Sequence, residues 1–593
     1  MKSFVWLGLF ATFSFTTSAQ TPLSSPARPI GADSSSQLDR KPQAIPTCSV
    51  RRTCITNPVF ATGMKCDGVT DDSAALQSSL NSALATVGNA TVIMPPGTCI
   101  IDPGANITIN SALWLQGAGR SGTTLKRKDS SFGTSILFLA ADGVTLSDFG
   151  VDGNKGGQGV TTPVNSVATT APSSGVTIQN MRFANSTGSD IFSPTIGAGL
   201  FIKDWLVADN DFENEGTAAC GVLFTCGNVL LQQPLGLRLI GNQSVDSQNF
   251  ALFSSVPGGG FVEVGNNTIL NVNGFGVGLG GGPVGSAGAH VHHNFITTTV
   301  TDPFNLIDLA GWSDFTVDHN VLHHNGQYTT AAAPNGCIAD FPPANHGVID
   351  ANECFSEPTT TISVTGIAVG GSDTTISNNH VQGCSGAGIA FTVGAAGPQR
   401  GVKIIGNTTK NNSNGTPGAH AGIDLFLAPG PGNLAAVSDV LIQNNHSYDD
   451  QATKTQGYGI SIGLYGLPIN FTNVIIEGND VAGNMLSGIR NNATVQALVI
   501  RNNLGFNPVG VIFAPPFPDG TGTVVTNTTG FDVTLYITSG TNPINMAING
   551  ITLTGITVPG GGVVGPPIRL AANQSITLTY MPGGAPTWQW VAD

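Results

Sequence analysis

The sequence has 593 residues, of which about 10% are charged, against the usual quarter, and 78 are glycine. A net charge of −14 with only 22 Lys and Arg residues argues against nucleic acid or anionic membranes as partners, because both require basic surface. Outside the N-terminus no run of 18 apolar residues occurs, so we expect no membrane insertion. The abundance of Gly, Asn, Thr and Val is typical of β-structure with many tight turns.

The N-terminus has the pattern of a secretory signal. Lys2 precedes an apolar stretch, and Thr17-Ser18-Ala19 is a small-residue cleavage site. We therefore predict a signal peptide over residues 1–19, a linker or N-terminal arm over 20–58, and a secreted, extracellular protein. The nine cysteines would then meet an oxidising compartment, and their spacing favours four local pairs with Cys384 left over. The pairs are Cys48 with Cys54, Cys66 with Cys99, Cys220 with Cys226, and Cys337 with Cys354.

The segment that follows has signals for a short helix and a sharp turn. The motif from Cys66 to Gln77 reads Cys-Asp-Gly-Val-Thr-Asp-Asp-Ser-Ala-Ala-Leu-Gln. Asp72 or Ser73 would cap a helix from about 73 to 85. Pro95-Pro96-Gly97 then predicts a turn into the first strand of a longer array.

A repeated unit of the form apolar, x, Val/Ile/Leu, x, x, Asn dominates the centre of the chain. Apolar and polar positions alternate within each unit, which predicts a short strand with one inward face, and the spacing between units varies from 23 to 38 residues. Constant strands joined by variable loops predict stacked coils that share one core. The repeated Asn would form a hydrogen-bonded ladder that satisfies the turn backbone. Its predicted members are Asn210, Asn242, Asn267, Asn294, Asn320, Asn352, Asn379, Asn407, Asn445, Asn479 and Asn502.

The motif at Cys66–Gln77, the segment Ala90–Thr98 and the repeat together resemble the pectate-lyase-like superfamily, which includes polygalacturonase-like hydrolases, polysaccharide lyases and phage tailspike depolymerases. The resemblance implies an all-β, right-handed parallel β-helix, with the helix capping its N-terminal end. It identifies no single reaction, because this fold carries many activities. The Asn-Thr-Asp, Asp-Asp and His-Gly series of polygalacturonases does not occur in order, and their Arg-Ile-Lys is missing, so no catalytic residue is carried over.

The alternating segments after residue 517 predict a small C-terminal β-sandwich-like domain over 518–593, which places the parallel β-helix catalytic domain at 59–517. At least one of Trp588 and Trp590 is expected in the core of the small domain.

Candidate chemistry is concentrated in the central coils. No Lys or Arg occurs from Leu239 to Gln399, yet residues 289–357 hold seven of the ten His and eight acidic residues. Aligned on the ladder, His292, Asp318 and Asp350 occupy one outward position in successive coils, and His293 and His319 occupy the next. Neighbouring carboxylates in such a column would repel each other, so we expect one pKa to rise, as a general acid requires.

A second set of carboxylates is predicted on the following strand, where Asp308 and Asp340 would also point outward. Trp312 and Tyr328 lie nearby in the sequence and would provide an apolar platform for a sugar ring. We therefore predict catalysis by a carboxylate pair from Asp308, Asp318, Asp340 and Asp350, with His292, His293, His319, Trp312 and Tyr328 binding substrate. Further along, Asp424, Ser461 and Arg490 follow the Gly-Ile of their coils, and a surface ion pair is the favoured interpretation.

The favoured function is a glycoside hydrolase that acts on a polysaccharide and needs no cofactor, because the acid-rich face lacks the Lys or Arg base of uronate chemistry. A metal-assisted lyase or epimerase is the first alternative, with Ca²⁺ bound by His292, Asp318 and Asp350. A non-catalytic glycan-binding adhesin or surface fibre is the second, in which the terminal domain would mediate assembly into a homotrimer.

Overall fold

The computed structural model describes residues 58–593 with internal gaps. The signal peptide, the N-terminal arm, Cys48, Cys54, Cys220 and Tyr328 lie outside the described residues. The gaps are 85–89, 159–162, 170, 198, 217–225, 255–256, 281–284, 301–303, 327–334, 342–343, 357–361, 393–398, 427–435, 464–469, 494, 507, 511, 514–519, 540–543, 554–566 and 582–584.

Three long sheets, here called sheets A, B and C, are formed by short parallel strands, and successive coils of the chain contribute a strand to each sheet in that order. Sheet A contains Pro58–Phe60, Ala90–Ile93, Leu113–Gln116, Thr145–Ser147, Thr177–Gln179, Leu206–Ala208, Arg238–Ile240, Glu263–Gly265, His290–His292, Thr316–Asp318, Val348–Asp350, Thr375–Ser377, Gln399–Arg400, Lys403–Ile405, Ala436–Gln443, Asn470–Glu477 and Val495–Arg501. Sheet B contains Asp67–Asp71, Gly97–Ile101, Thr123–Arg127, Gly150–Asp152, Arg182–Ala184, Asp211–Glu213, Gln243–Val245, Thr268–Leu270, Phe295–Thr298, Val321–His324, Glu353–Phe355, His380–Gln382, Thr408–Lys410 and His446–Tyr448. Sheet C contains Thr108–Ile109, Ser135–Leu139, Asn165–Thr169, Ile191–Ser193, Val229–Gln232, Ala251–Ser254, Val277–Gly280, Ile307–Ala310, Asn335–Phe341, Thr365–Val369, Ile389–Thr392, Ala421–Phe426, Tyr458–Ile462 and Ser487–Asn491.

Short two-residue strands lie in the turns between sheets C and A. They are the strands Ser173–Ser174, Ile202–Lys203 and Pro234–Leu235 in one ribbon, and Ser286–Ala287 and Trp312–Ser313 in another. The 3₁₀ turns Pro103–Ala105 and Lys155–Gly157 lie elsewhere.

The apolar position of the repeat builds the core. In sheet A, Val207, Leu239 and Val264 are paired in register on consecutive coils, and each is fully buried. The same inward stacking occurs in sheets B and C, so a single hydrophobic cluster runs from Ala61 to Ile500. The predicted all-β parallel β-helix is confirmed.

The Asn ladder forms as predicted over ten of its eleven members. The Asn352 side chain donates to Asn379 Oδ1 and to the Val317 carbonyl, both at 2.9 Å, and the same pattern repeats from coil to coil. The prediction was wrong at the last member, because Asn479 bonds to Asn503 and not to Asn502. The tandem Asn residues fit the pattern in two registers, and the structure pairs Ile476 with Ile500, which puts Asn503 in the ladder.

The N-terminal helix is Ser73–Leu84, and Leu76, Leu80 and Ala83 pack into the core. The Asp72 side chain accepts hydrogen bonds from the backbone of Lys65 and Cys66 rather than capping the helix.

The structure bears out two of the predicted disulfides and the leftover thiol. The bonds Cys66–Cys99 and Cys337–Cys354 are formed. Cys384 is free, as the spacing predicted, and its side chain is buried.

Two antiparallel sheets follow the coils, which confirms the predicted C-terminal β-structure. Their strands are Ile512–Phe513, Val533–Ser539, Ile568–Leu570 and Thr587–Ala592 in one sheet, and Val524–Thr526, Asn545–Ile548, Ile551–Thr552 and Ser575–Thr579 in the other. Trp588 and Trp590 are both buried in the core that the two sheets share.

Candidate functional site

The predicted column on sheet A is present. His292 pairs in register with Asp318, and Asp318 pairs with Asp350. The His293 and His319 rings stack with their centroids 5.0 Å apart. The ladder thus gave the correct relative positions of these five side chains.

The sheet A column is an ionic network whose groups are largely paired with one another. Asp318 Oδ1 lies 2.6 Å from His290 Nε2, and Asp318 Oδ2 lies 2.8 Å from His319 Nδ1. Glu263 contacts Arg238 at 2.8 Å and His292 at 3.3 Å. Burial alone would raise the pKa of Asp318, but hydrogen bonds from His319 and His290 outweigh it and lower the pKa. The expected rise is therefore wrong for Asp318, because two histidines hydrogen-bond to the carboxylate and stabilise its charged form.

The four predicted catalytic carboxylates do not form one group. Asp318 and Asp350 lie on sheet A, whereas Asp308 and Asp340 lie on sheet C. Asp340 was also predicted to point outward, and this is wrong. It pairs in register with the buried Leu309 and with Val369, so its side chain points inward and is fully buried. The register of sheet C is shifted by one residue from the expected one, which reverses the face.

The predicted apolar platform is not formed by Trp312. Its side chain is fully buried in the main core, on a two-residue strand that pairs with Ser286–Ala287. A residue in that position cannot contact a bound sugar. Tyr328, the other predicted platform residue, lies outside the described residues.

Asp308 does point outward, and it lines a cavity on the outer face of sheet C. The cavity measures about 310 Å³ and contains the Asp308 carboxyl group in its wall. Burial raises the pKa of Asp308 to about 7, although Asn305 donates a hydrogen bond of 2.7 Å to Oδ2. The carboxyl group is therefore protonated in a large fraction of molecules near neutral pH.

The rest of the cavity wall is mainly apolar. Leu230, Leu252 and Phe275 form a separate hydrophobic cluster there. Gly278 pairs with Asp308 on the adjacent coil, and a Cβ at Gly278 would lie 2.7 Å from Leu252 Cδ2, so glycine keeps the space beside the carboxyl group open. The remaining described lining residues are Gln232, Phe253, Ser254 and Gly280.

This cavity was not predicted from the sequence, although the sequence contains a signal for it. The runs Val229-Leu230-Leu231 and Ala251-Leu252-Phe253, on two paired strands, are continuously apolar. A strand that is apolar on both faces has its outer face covered as well. Similar runs occur at Ile136-Leu137-Phe138-Leu139 and Ile389-Ala390-Phe391, so this signal does not by itself locate the cavity.

The described residues contain one group whose potential metal-binding atoms lie within 4.8 Å of one another, namely Cys66, Asp72 and Cys99. Both cysteines are oxidised in a disulfide, so the group does not fit a metal ion. His292, Asp318 and Asp350, the set considered for Ca²⁺, do not form such a group.

Asp424, Ser461 and Arg490 stack in register, as their sequence positions suggested. The interpretation as a surface ion pair is wrong, because Asp424 is only 1% exposed. Burial raises the pKa of Asp424, while His420 and, more weakly, Arg490 oppose the rise.

Comparison with known proteins identifies two family matches. Residues 58–233 match the family described as rhamnogalacturonase A/epimerase, pectate lyase-like, and residues 254–426 match the right handed beta helix region. No match was found among curated proteins. Within the described part of the chain, no helix has the length and apolar character needed to cross a membrane.

Several solved structures are similar to the chain. The A-module of Azotobacter vinelandii mannuronan C-5 epimerase AlgE6 has 16% sequence identity and a TM-score of 0.35, over 76% of this chain and 99% of that module. The N-terminal fragment of bacteriophage Phi29 gene product 12 has 15% identity and a TM-score of 0.45, covering 76% and 74%. The Dettilon tailspike protein has 11% identity and a TM-score of 0.41, covering 90% and 94%.

Proposed function

Because the chain belongs to the pectate-lyase-like superfamily of right-handed parallel β-helices, we propose that it is a carbohydrate-active enzyme that hydrolyses glycosidic bonds. Its site is the cavity on the outer face of sheet C, and Asp308 is the general acid that protonates the leaving oxygen. The observation that carries the proposal is a protonatable carboxyl group in the wall of a largely apolar cavity.

The chemistry of the cavity wall is suited to a sugar. Leu230, Leu252 and Phe275 offer an apolar surface to the face of the ring, and Gln232 and Ser254 offer hydrogen-bonding groups to its hydroxyls. A general acid needs a pKa near the working pH, and the pKa of about 7 for Asp308 meets that need.

Hydrolysis fits this cavity better than uronate lyase or epimerase chemistry. Those reactions remove a proton beside a carboxylate, which must be neutralised by a cation. The described residues that line the cavity include no Lys or Arg. Asp308 is also the only carboxylate among the described lining residues. We therefore assign Asp308 as the general acid and do not assign Asp340 as a second catalytic carboxylate.

The proposed setting is extracellular. Disulfides accumulate in oxidising compartments, and the described residues contain two of them. A polysaccharide is the proposed partner, and assembly into a homotrimer stays a prediction.

The test is a panel of polysaccharides incubated with the wild type, Asp308→Asn and Asp350→Asn, read by new reducing ends. Asp308→Asn should lower kcat/KM about 10²- to 10⁴-fold, because the amide cannot donate the proton. Asp350→Asn is the matched control on sheet A, where Asp350 accepts hydrogen bonds from Ser377 and Asn378. Its activity should stay close to that of the wild type.

The reverse result, with activity lost in Asp350→Asn and kept in Asp308→Asn, would move the site to sheet A. An unsaturated product, seen as an absorbance rise and abolished by a chelator, would indicate a metal-assisted lyase. Retention of polysaccharide without any cleavage would indicate a binding protein.

A further inference from the structure

A serine, a histidine and an aspartate are connected in series at one edge of sheet C. Ser363 Oγ lies 3.1 Å from His420 Nε2. His420 Nδ1, on the other side of the ring, lies 3.5 Å from Asp424 Oδ2. The three residues come from two separate intervals of the chain, and neither their spacing nor their order forms a recognisable sequence motif.

Burial increases along this series. Ser363 is partly exposed, His420 is 8% exposed and Asp424 is 1% exposed. A hydroxyl group that must meet a substrate therefore lies outermost, and the carboxylate that would orient the imidazole lies innermost. A side chain at position 386 would collide with the Ser363 hydroxyl, so the glycine there leaves room for the hydroxyl in its observed position.

The backbone holds the histidine in place on both sides. The His420 amide donates to Ser413 Oγ at 3.1 Å, and its carbonyl accepts from the Gly457 amide at 2.9 Å. Asp424 Oδ2 also accepts a hydrogen bond from the Ala421 amide at 3.3 Å. The His420 and Asp424 side chains thus have a fixed separation before any substrate binds, as a preorganised site requires.

We propose that Ser363, His420 and Asp424 form a second hydrolytic centre, which cleaves carboxylic esters. Ser363 Oγ attacks the ester carbonyl carbon while its proton passes to His420 Nε2, and Asp424 stabilises the imidazolium. The C–O bond to the alcohol then breaks, and His420 returns the proton to the departing alcohol. Water, deprotonated by His420, attacks the acyl-serine, releases the carboxylic acid and restores the Ser363 hydroxyl.

The centre lies on the same face as the cavity of Asp308. The outward column of sheet C runs from Asp308 through Ala339, Ala368 and Ala390 to Asp424. Four coil spacings of about 4.8 Å separate the two carboxylates by roughly 19 Å. The identity of the ester rests on the proposed function: it is an O-acyl group on the glycan that this face binds.

The test uses the full chain, p-nitrophenyl acetate as the substrate and a fluorophosphonate as the covalent probe. The wild type should release p-nitrophenol, and mass spectrometry should locate the probe on Ser363. Ser363→Ala should abolish labelling, and His420→Gln should slow both reactions at least about 10²-fold. Ser487→Ala, which changes an exposed serine on a later strand of sheet C, should leave both unchanged.

Asp308→Asn separates this inference from the proposed function, because it should strongly slow glycan cleavage and leave ester cleavage intact. A wild-type protein whose Ser363 stays unlabelled, or ester cleavage that persists in Ser363→Ala, would overturn the inference. Because labelling is mapped on the wild type, the result does not depend on the folding of any variant.

Discussion

Two aspartates on outward strand positions, Asp308 and Asp318, have pKa values shifted in opposite directions. Asp308 has one amide donor and an apolar cavity around it, and burial raises its pKa to about 7. Asp318 has two histidines within 2.8 Å, and they lower its pKa despite burial. The sequence predicts that both residues face outward, and the ladder register places histidines beside Asp318. The neighbours of Asp308 depend on the register of sheet C, which follows loops of variable length.

Asp340 provides a test at the scale of one residue. Burial raises its pKa to about 7, and the charge of Asp308 adds to the rise. One of its oxygens accepts hydrogen bonds from Gly371 and Thr374, and the other has no hydrogen-bond partner among the described residues. The folded pKa of Asp340 lies above the unfolded value of 3.8, so folding favours the protonated carboxyl group. The contribution of this group to the free energy of unfolding is complete below pH 3.8 and is lost as the pH rises to about 7.

We therefore expect Asp340→Asn to gain stability over the wild type as the pH rises. The gain between pH 5 and pH 8 should be roughly 2–3 kcal/mol, because the amide never ionises and retains an acceptor oxygen. Urea unfolding at both pH values measures it. Asp314→Asn, at an exposed position, is the control, and an equal pH response in both variants would refute the assignment.

The Asn ladder and the strands of sheet A are the elements that the sequence predicts best. The inward Val, Ile or Leu three residues before each ladder Asn sets the register of sheet A, and a slip by one residue would turn the core face outward. Sheet C follows a loop of variable length, and there the register could not be read. The sequence pattern accordingly puts Asp340 on the wrong face and Trp312 at the surface, although Trp312 fills the core.

A substitution in the ladder tests its role as an element. Asn352→Ala removes the acceptor of two Asn320 N–H groups and the side-chain donor to the Val317 carbonyl. Buried groups without partners cost about 1–3 kcal/mol each, so we expect a loss of about 3–5 kcal/mol. Thermal or urea unfolding measures the loss.

Asn273→Ala is the matched control, because Asn273 is exposed and its side chain makes one hydrogen bond to Gln248. It should change stability by less than about 0.5 kcal/mol. Equal losses of stability in the two variants would mean that a ladder Asn contributes no more to the free energy of unfolding than an exposed Asn does.

At the scale of the whole molecule, the low charge content has a structural reason. Stacked coils satisfy their turns with Asn and Gly and their outer faces with Ser and Thr, so few charges are needed. The candidate site carboxylates lie on two of the three sheets: Asp318 belongs to a paired ionic network on sheet A, and Asp308 and Asp340 lie on sheet C. Composition and periodicity predict the coil, but the division between faces depends on the register of every coil.

The pH dependence of glycan cleavage tests the central claim most directly. With Asp308 as the general acid, kcat/KM should fall as the pH rises through about 7, because the proton to be donated is lost. Asp340→Asn should keep this decline, although the pKa of Asp340 is also about 7. Asp308→Asn should remove the decline and leave a low rate that is flat across this range. A decline near pH 7 that persists in Asp308→Asn would contradict the account.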